Sequence, residues 1–169
     1  MKDYFDIAYK FTAQWEGGVC DVPGDRGGKT AYGVASKYHP ELFEGGRVPT
    51  KEEAKQVFFT DYWLANQCDK LFSVVSATWL FDAAVNSGRT GVKQWQGAVG
   101  VERDGAVGPK SVAASNGMPD HEINRAMLAE RTAFYERLAE KPGQAKFRRG
   151  WINRANACFA YCEKLNEGN

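Results

Sequence analysis

The chain has 169 residues, a formal net charge of +1 and 43% hydrophobic residues. That length suits one compact domain or two small lobes sharing a core, with an ordinary globular composition. The near-zero charge excludes a polybasic nucleic-acid surface and an acidic tail, and no apolar run reaches the length of a membrane span.

In chain order, Tyr4, Ala8, Phe11 and Trp15 recur at helical spacing and predict a helix from about Asp3 to Trp15. Gly17-Gly18 stops it, because glycine tolerates the left-handed conformation that ends helices. Glu16 is then expected as the last or nearly last helical residue, next to a large indole. A carboxyl against apolar surface has its charged form disfavoured, which is what a general acid requires. A lone Glu after an apolar helix is ordinarily a solvated end residue, so the residue type alone does not make it catalytic. The Gly- and Asp-rich stretch to Gly33 reads as a shaped loop or short irregular hairpin, with Asp21, Asp25 and Thr30 as its polar groups.

Val34 to Lys37 is expected to open a short helix, closed at His39-Pro40, with a loop to Pro49. Thr50-x-x-Glu53 has the form of a capping box for a helix running to about Leu64, with Ala54, Val57, Phe58 and Tyr62 facing inward. The run Val75, Trp79, Phe81, Ala83, Ala84 is apolar nearly all round and predicts a central buried helix ending at Asn86-Ser87-Gly88. Asn86 reads either as the cap of that helix or as a hydrogen-bond donor to a ligand.

Thr90 is expected to cap a helix carrying Val92, Trp95, Gln96 and Val99, and Pro109 to sit in the first turn of a short one. Asp120 is expected to cap a long helix with Ile123, Met127, Phe134 and Leu138 inward. The last helix carries the stripe Phe147, Trp151, Ala155, Cys158, Cys162 and Leu165. Its two cysteines, with Cys20 and Cys68, make no Cys-x-x-Cys pair, so no metal site is expected and all four are read as free thiols. Nothing is strongly strand-like, and the architecture is expected to be mainly α.

Glu16-Gly17-Gly18, then Asp21, Asp25 and Gly27-Gly28-x-Thr30-x-x-Gly33-Val34, resembles the signature of glycoside hydrolase family 108, the N-acetylmuramidases of phages and bacterial protein-release systems. Asp61-Tyr62-Trp63 and the stretch from Phe81 to Gly88 resemble the same family. The stretch from Asp104 to Lys110 and Gly150-Trp151-Ile152-Asn153-Arg154 resemble the peptidoglycan-binding half that accompanies it. Where the family carries an aromatic residue after Glu-Gly-Gly, this chain has Val19-Cys20.

The resemblance implies a lysozyme-like helical fold, with a catalytic half at 1–89 and a helical peptidoglycan-binding half at 90–169 packed as one unit. It implies hydrolysis of the β-1,4 bond between N-acetylmuramic acid and N-acetylglucosamine, with Glu16 as general acid. Asp25, with Thr30, is favoured over Asp21 as the group that orients water, and Asp21, Tyr32 and Asn86 are expected to contact substrate. A non-catalytic peptidoglycan-binding protein and a lytic transglycosylase are the alternatives. No cofactor is expected. The partners expected are peptidoglycan glycan strands, with no nucleic acid and no membrane insertion, and the chain is read as a monomer. Met1-Lys2-Asp3-Tyr4 does not open a signal peptide, so synthesis in the cytoplasm is expected, with a holin or other release system giving access to the wall.

Overall fold

The computed structural model describes residues 2–17 and 29–167. Asp21, Asp25, Cys20, Gly18, Gly27 and Gly28 lie outside them. Helix α1 spans Lys2–Thr12. It is shorter than its apolar spacing predicts, because the chain tightens after Thr12: Gln14 and Trp15 donate to the carbonyls of Phe11 and Thr12, three residues back. Glu16 therefore sits in a bend beyond the helix rather than in its last turn.

Strands β1 (Thr30–Ala31) and β2 (Val34–Ala35) form a two-residue hairpin, with Thr30 opposite Ala35 and Ala31 opposite Val34. Its turn residues, Tyr32 and Gly33, have φ of 49° and 82°. Positive φ at both centres is the turn whose twist matches paired strands. This pairing takes Val34-Ala35 into a strand, not the short helix expected there. The expected loop after His39 is instead a 3₁₀ segment, Pro40–Gly46, kinked at Glu44 and Gly45.

Helix α2 (Lys51–Val57) begins with the predicted capping box: Thr50 accepts from the Glu53 amide and Glu53 accepts from the Thr50 amide. It continues into a wide π-helical stretch, Phe58–Leu64. Within it the Thr60 hydroxyl lies 2.8 Å from Asp61 Oδ1 and 3.1 and 3.2 Å from the carbonyls of Gln56 and Val57, so its one proton is shared among three acceptors. The wider period brings Trp63, five residues on from Phe58, into the core beside it, while Tyr62 stays half-buried toward a cleft.

Helix α3 (Val74–Ser87) is buried on every side from Val74 to Ala84 and is the axis on which α1, α4, α6 and α7 pack. Helix α4 (Arg89–Ala98) starts at Gly88, so Thr90 lies inside its first turn and is not the cap. Helix α5 (Pro109–Asn116) has the expected proline at its start. Helix α6 (Asp120–Ala139) is entered from Pro119, and α7 (Arg148–Glu167) packs along it. The fold is mainly α, with only the small hairpin as sheet among the described residues. No helix among them is long and apolar enough to cross a membrane.

On α6 the inward stripe runs Ile123, Met127, Arg131, Tyr135, and not through Phe134 and Leu138. On α7, Arg154 is buried beside Ala155, Cys158 and Cys162, while Phe147 is exposed. Cys68, Cys158 and Cys162 are buried free thiols. Burial pushes the Cys68 and Cys158 thiols well above their ordinary range, and only the thiolate reacts readily. A chromogenic thiol reagent is expected to leave these three untouched in the folded protein and to find them on denaturation. Rapid reaction of all three in the native state would contradict this packing.

Candidate active site

Glu16 follows α1 and lies at the mouth of a cleft of about 430 Å³ whose walls include Tyr9, Tyr32, Lys51, Glu52, Lys55 and Phe58. Its side chain is 23% exposed, enough to meet a ligand while its carboxylate is held. The holder is Arg154 on α7, whose Nη2 lies 3.1 Å from Glu16 Oε1. The Arg154 guanidinium also lies over the Trp15 ring, at 6.0 Å from its centroid. Trp15 is 38% exposed, so it does not bury the carboxyl as the sequence suggests. The immediate partner of Glu16 is a cation, not an apolar wall.

Arg154 is fixed in turn. Its Nη2 donates to Asp82 Oδ1 at 2.7 Å, and Nε approaches both Asp82 oxygens at 3.2 and 3.3 Å. Asp82, wholly buried on α3, also accepts from Arg131 Nη1 at 2.5 Å and from the Thr12 hydroxyl at 3.1 Å. Burial alone pushes the Asp82 carboxyl up, but Arg131 and Arg154 outweigh it and hold the group below the usual carboxylate range. Arg131 donates further to Asn86 Oδ1 at 3.1 Å and to the Tyr135 hydroxyl, which itself donates to Asn86 Oδ1 at 2.7 Å. Trp151 stacks on Tyr135 at 5.6 Å between centroids. A continuous polar chain thus runs from Glu16 through Arg154, Asp82 and Arg131 to Tyr135 and Asn86.

The hairpin packs against the aliphatic stem of Glu16. A Cβ at Gly33 would lie 2.8 Å from Phe58 Cζ and 3.2 Å from Glu16 Cβ, at a φ that L residues rarely adopt. Gly33→Ala is therefore expected to displace Glu16 or the hairpin, lowering activity at least tenfold with a modest drop in Tm. Full activity in that variant would show that the hairpin and Glu16 are not coupled. Gly17, by contrast, has open space where a Cβ would go.

The groove continues past Glu16. Phe58 also lines a second cleft, of about 410 Å³, with Gly33, His39, Asp61 and Tyr62. Asp61 and Tyr62 in turn line a third, of about 520 Å³, which reaches Asn66, Gly88, Arg89 and Gly105. Burial, and then the charge of Glu16, push the Tyr62 phenol up. At the far end, buried Gln96 organises the loop after α4. It donates to Asp104 Oδ1 at 2.7 Å and accepts from the Gly105 amide at 2.8 Å. Gly105, with φ of 79°, leaves room for the Arg89 side chain, whose Cγ a Cβ there would meet at 2.5 Å.

Of the residues singled out in the sequence, Glu16 and Tyr32 meet in one cleft. Thr30 is half-buried on β1 and is not among the residues lining that cleft. The Asn86 side-chain oxygen accepts from three groups, Ser87, Arg131 and Tyr135, and so belongs to the buried chain. Arg154, Asp82, Arg131 and the cleft-wall residues Lys51, Glu52 and Lys55 were not anticipated. A charged residue continuing an apolar stripe, as Arg131 continues Ile123 and Met127, is a signal for such a buried pair, since a buried charge must have a partner.

Residues 9–88 match the family model for Glycosyl hydrolase 108. Residues 90–156 match the Predicted Peptidoglycan domain. The solved structure of Brucella abortus SagA is similar at a TM-score of 0.78 and 26% identity, over 97% of this chain and 96% of that one. A search of curated proteins gives no match. The two family matches meet within two residues, beside the third cleft, and the chain carries a glycoside hydrolase family 108 domain followed by a peptidoglycan-binding domain, which makes it a glycoside hydrolase acting on peptidoglycan.

Proposed function

We propose that the enzyme is an N-acetylmuramidase, cutting the β-1,4 bond between N-acetylmuramic acid and N-acetylglucosamine in the cell wall, with Glu16 as general acid. The observation that carries this reading is the placement of Glu16: a part-exposed carboxyl held by Arg154 at 3.1 Å, lining the first of three clefts that share wall residues. Such a carboxyl can protonate the leaving oxygen of a glycosidic bond lying along the groove. Asp25, with Thr30, is assigned the activation of water on the opposite face, and Asp21, Tyr32 and the amide nitrogen of Asn86, whose oxygen is held in the buried chain, the contacts to substrate. Residues 1–89 are read as the catalytic half and 90–169 as the helical peptidoglycan-binding half packed against it.

A water between the two carboxyls implies inversion of configuration, with the carboxyls about 6.5–9.5 Å apart. Mass spectrometry of products from purified peptidoglycan is the test of the bond. Reducing ends on N-acetylmuramic acid are expected. Reducing N-acetylglucosamine ends would reject the bond assignment, and anhydro ends would indicate a transglycosylase. NMR of the first-formed product tests the water, and a retained β anomer would reject the role of Asp25.

A further inference from the structure

We infer that Arg154, supplied by the second half of the chain, is the positioning residue for Glu16, and that Asp82 sets how strongly its charge acts there. The inference rests on the reading of Glu16 as general acid. Arg154 Nη2 is shared between Glu16 Oε1 at 3.1 Å and Asp82 Oδ1 at 2.7 Å. One guanidinium nitrogen therefore touches both the acid and the buried carboxylate. Arg154 is 8% exposed and Asp82 wholly buried, so solvent screens the pair little.

Across the four groups, the two arginines balance Asp82 and an ionised Glu16. When Glu16 carries the proton it must donate, the set is left with one excess positive charge. Asp82 limits the effect of that charge by holding Arg154 with three close contacts and Arg131 with a further one. The device crosses the boundary between the two family matches. Glu16 and Asp82 lie in the first, Arg131 and Arg154 in the second. The second half is thus part of the catalytic unit as well as a surface for the wall.

Among the described residues, the other ionisable groups around Glu16 are Tyr9, Tyr32, Lys51, Glu52 and Lys55 on the cleft walls, and Tyr62 beside them. All remain in the variants that test the assignment, so they form a constant background. Arg154→Met keeps the length and removes the charge. Its kcat is expected to fall about ten- to hundredfold through misplacement of the acid, with KM within twofold. The alkaline limb of its pH–rate profile is expected to move up, because a cation favouring the ionised acid is gone. Asp82→Asn is expected to move that limb down, because the Arg154 charge is no longer compensated. A structural role predicts no such opposite displacement.

Arg154→Lys keeps the charge but has a single ammonium in place of the fork. It is expected to keep the limb near its wild-type position and to lose kcat. Melting temperature and pelleting with purified peptidoglycan establish that each variant is folded and binds. Limbs moving in the same direction in Arg154→Met and Asp82→Asn, or wild-type kcat in Arg154→Met, would overturn the inference. If Arg154→Met does not fold, Arg154→Lys decides, and wild-type kcat there overturns it equally. Failure of the underlying reading is separate: it shows as an active Glu16→Gln, whereas an inactive Glu16→Gln beside an unaffected Arg154→Met rejects Arg154 alone.

Discussion

Glu16→Gln is expected to lower hydrolysis of purified peptidoglycan by two or more orders of magnitude, the usual scale of general acid catalysis. Glutamine has the same shape, and its side-chain oxygen can still accept the hydrogen bond that Arg154 gives at 3.1 Å. The network behind it, from Arg154 through Asp82 to Arg131, is untouched by the change. Stability and wall binding are therefore expected to stay close to wild type, so that the loss lies in kcat. Glu52, on the wall of the same cleft, provides the control. Glu52→Gln is expected to retain most activity. Dye release from labelled peptidoglycan, with melting curves alongside, measures both. An active Glu16→Gln beside a dead Glu52→Gln would transfer the acid role across the cleft.

What the sequence made legible was local. The capping box at Thr50 and Glu53 depends on residues three apart, and the structure contains both of its hydrogen bonds. The all-round apolar run of α3 demanded burial and is the axis of the fold. The environment of Glu16 was not legible, because its partner lies 138 positions away in sequence. Nor does apolar spacing register the tightened turns after Thr12, which take Glu16 out of the helix and leave Trp15 partly in solvent. Apolar spacing also misses the wide turn at Phe58–Leu64, which shifts the buried position from Tyr62 to Trp63. Asp82, within an apolar run, was the overlooked clue. A carboxylate inside a fully buried helix requires cations from elsewhere in the chain, and here α6 and α7 each bring one.

That dependence makes Arg131→Met the substitution with the largest expected effect on stability. The Arg131 side chain has no exposure, and it reaches Asp82, Asn86 and Tyr135 while lying over the rings of Trp79 and Tyr135. Methionine fills much of the volume but leaves Asp82 with Arg154 and Thr12 alone. Removing one partner of a buried ion pair typically costs about 3–5 kcal/mol, a large share of a total stability of roughly 5–15 kcal/mol. For a chain of this size, a fall in Tm on the order of 10 °C follows.

The pH dependence has a definite sign. Burial pushes the Asp82 carboxyl up, and the two arginines more than reverse it, so its folded-state pKa lies below that of the unfolded chain. The stability linked to it is fully present above the ordinary Asp range near about 3.9 and is lost as pH falls through the lower folded-state value. In Arg131→Met the opposing charge is halved while burial remains, so acid unfolding is expected to begin at higher pH than in wild type. Circular dichroism during acid titration, with thermal melts at neutral pH, measures both effects. An unchanged Tm together with an unchanged acid midpoint would mean that Arg154 alone satisfies Asp82, and that Arg131 serves only to anchor Asn86 and Tyr135.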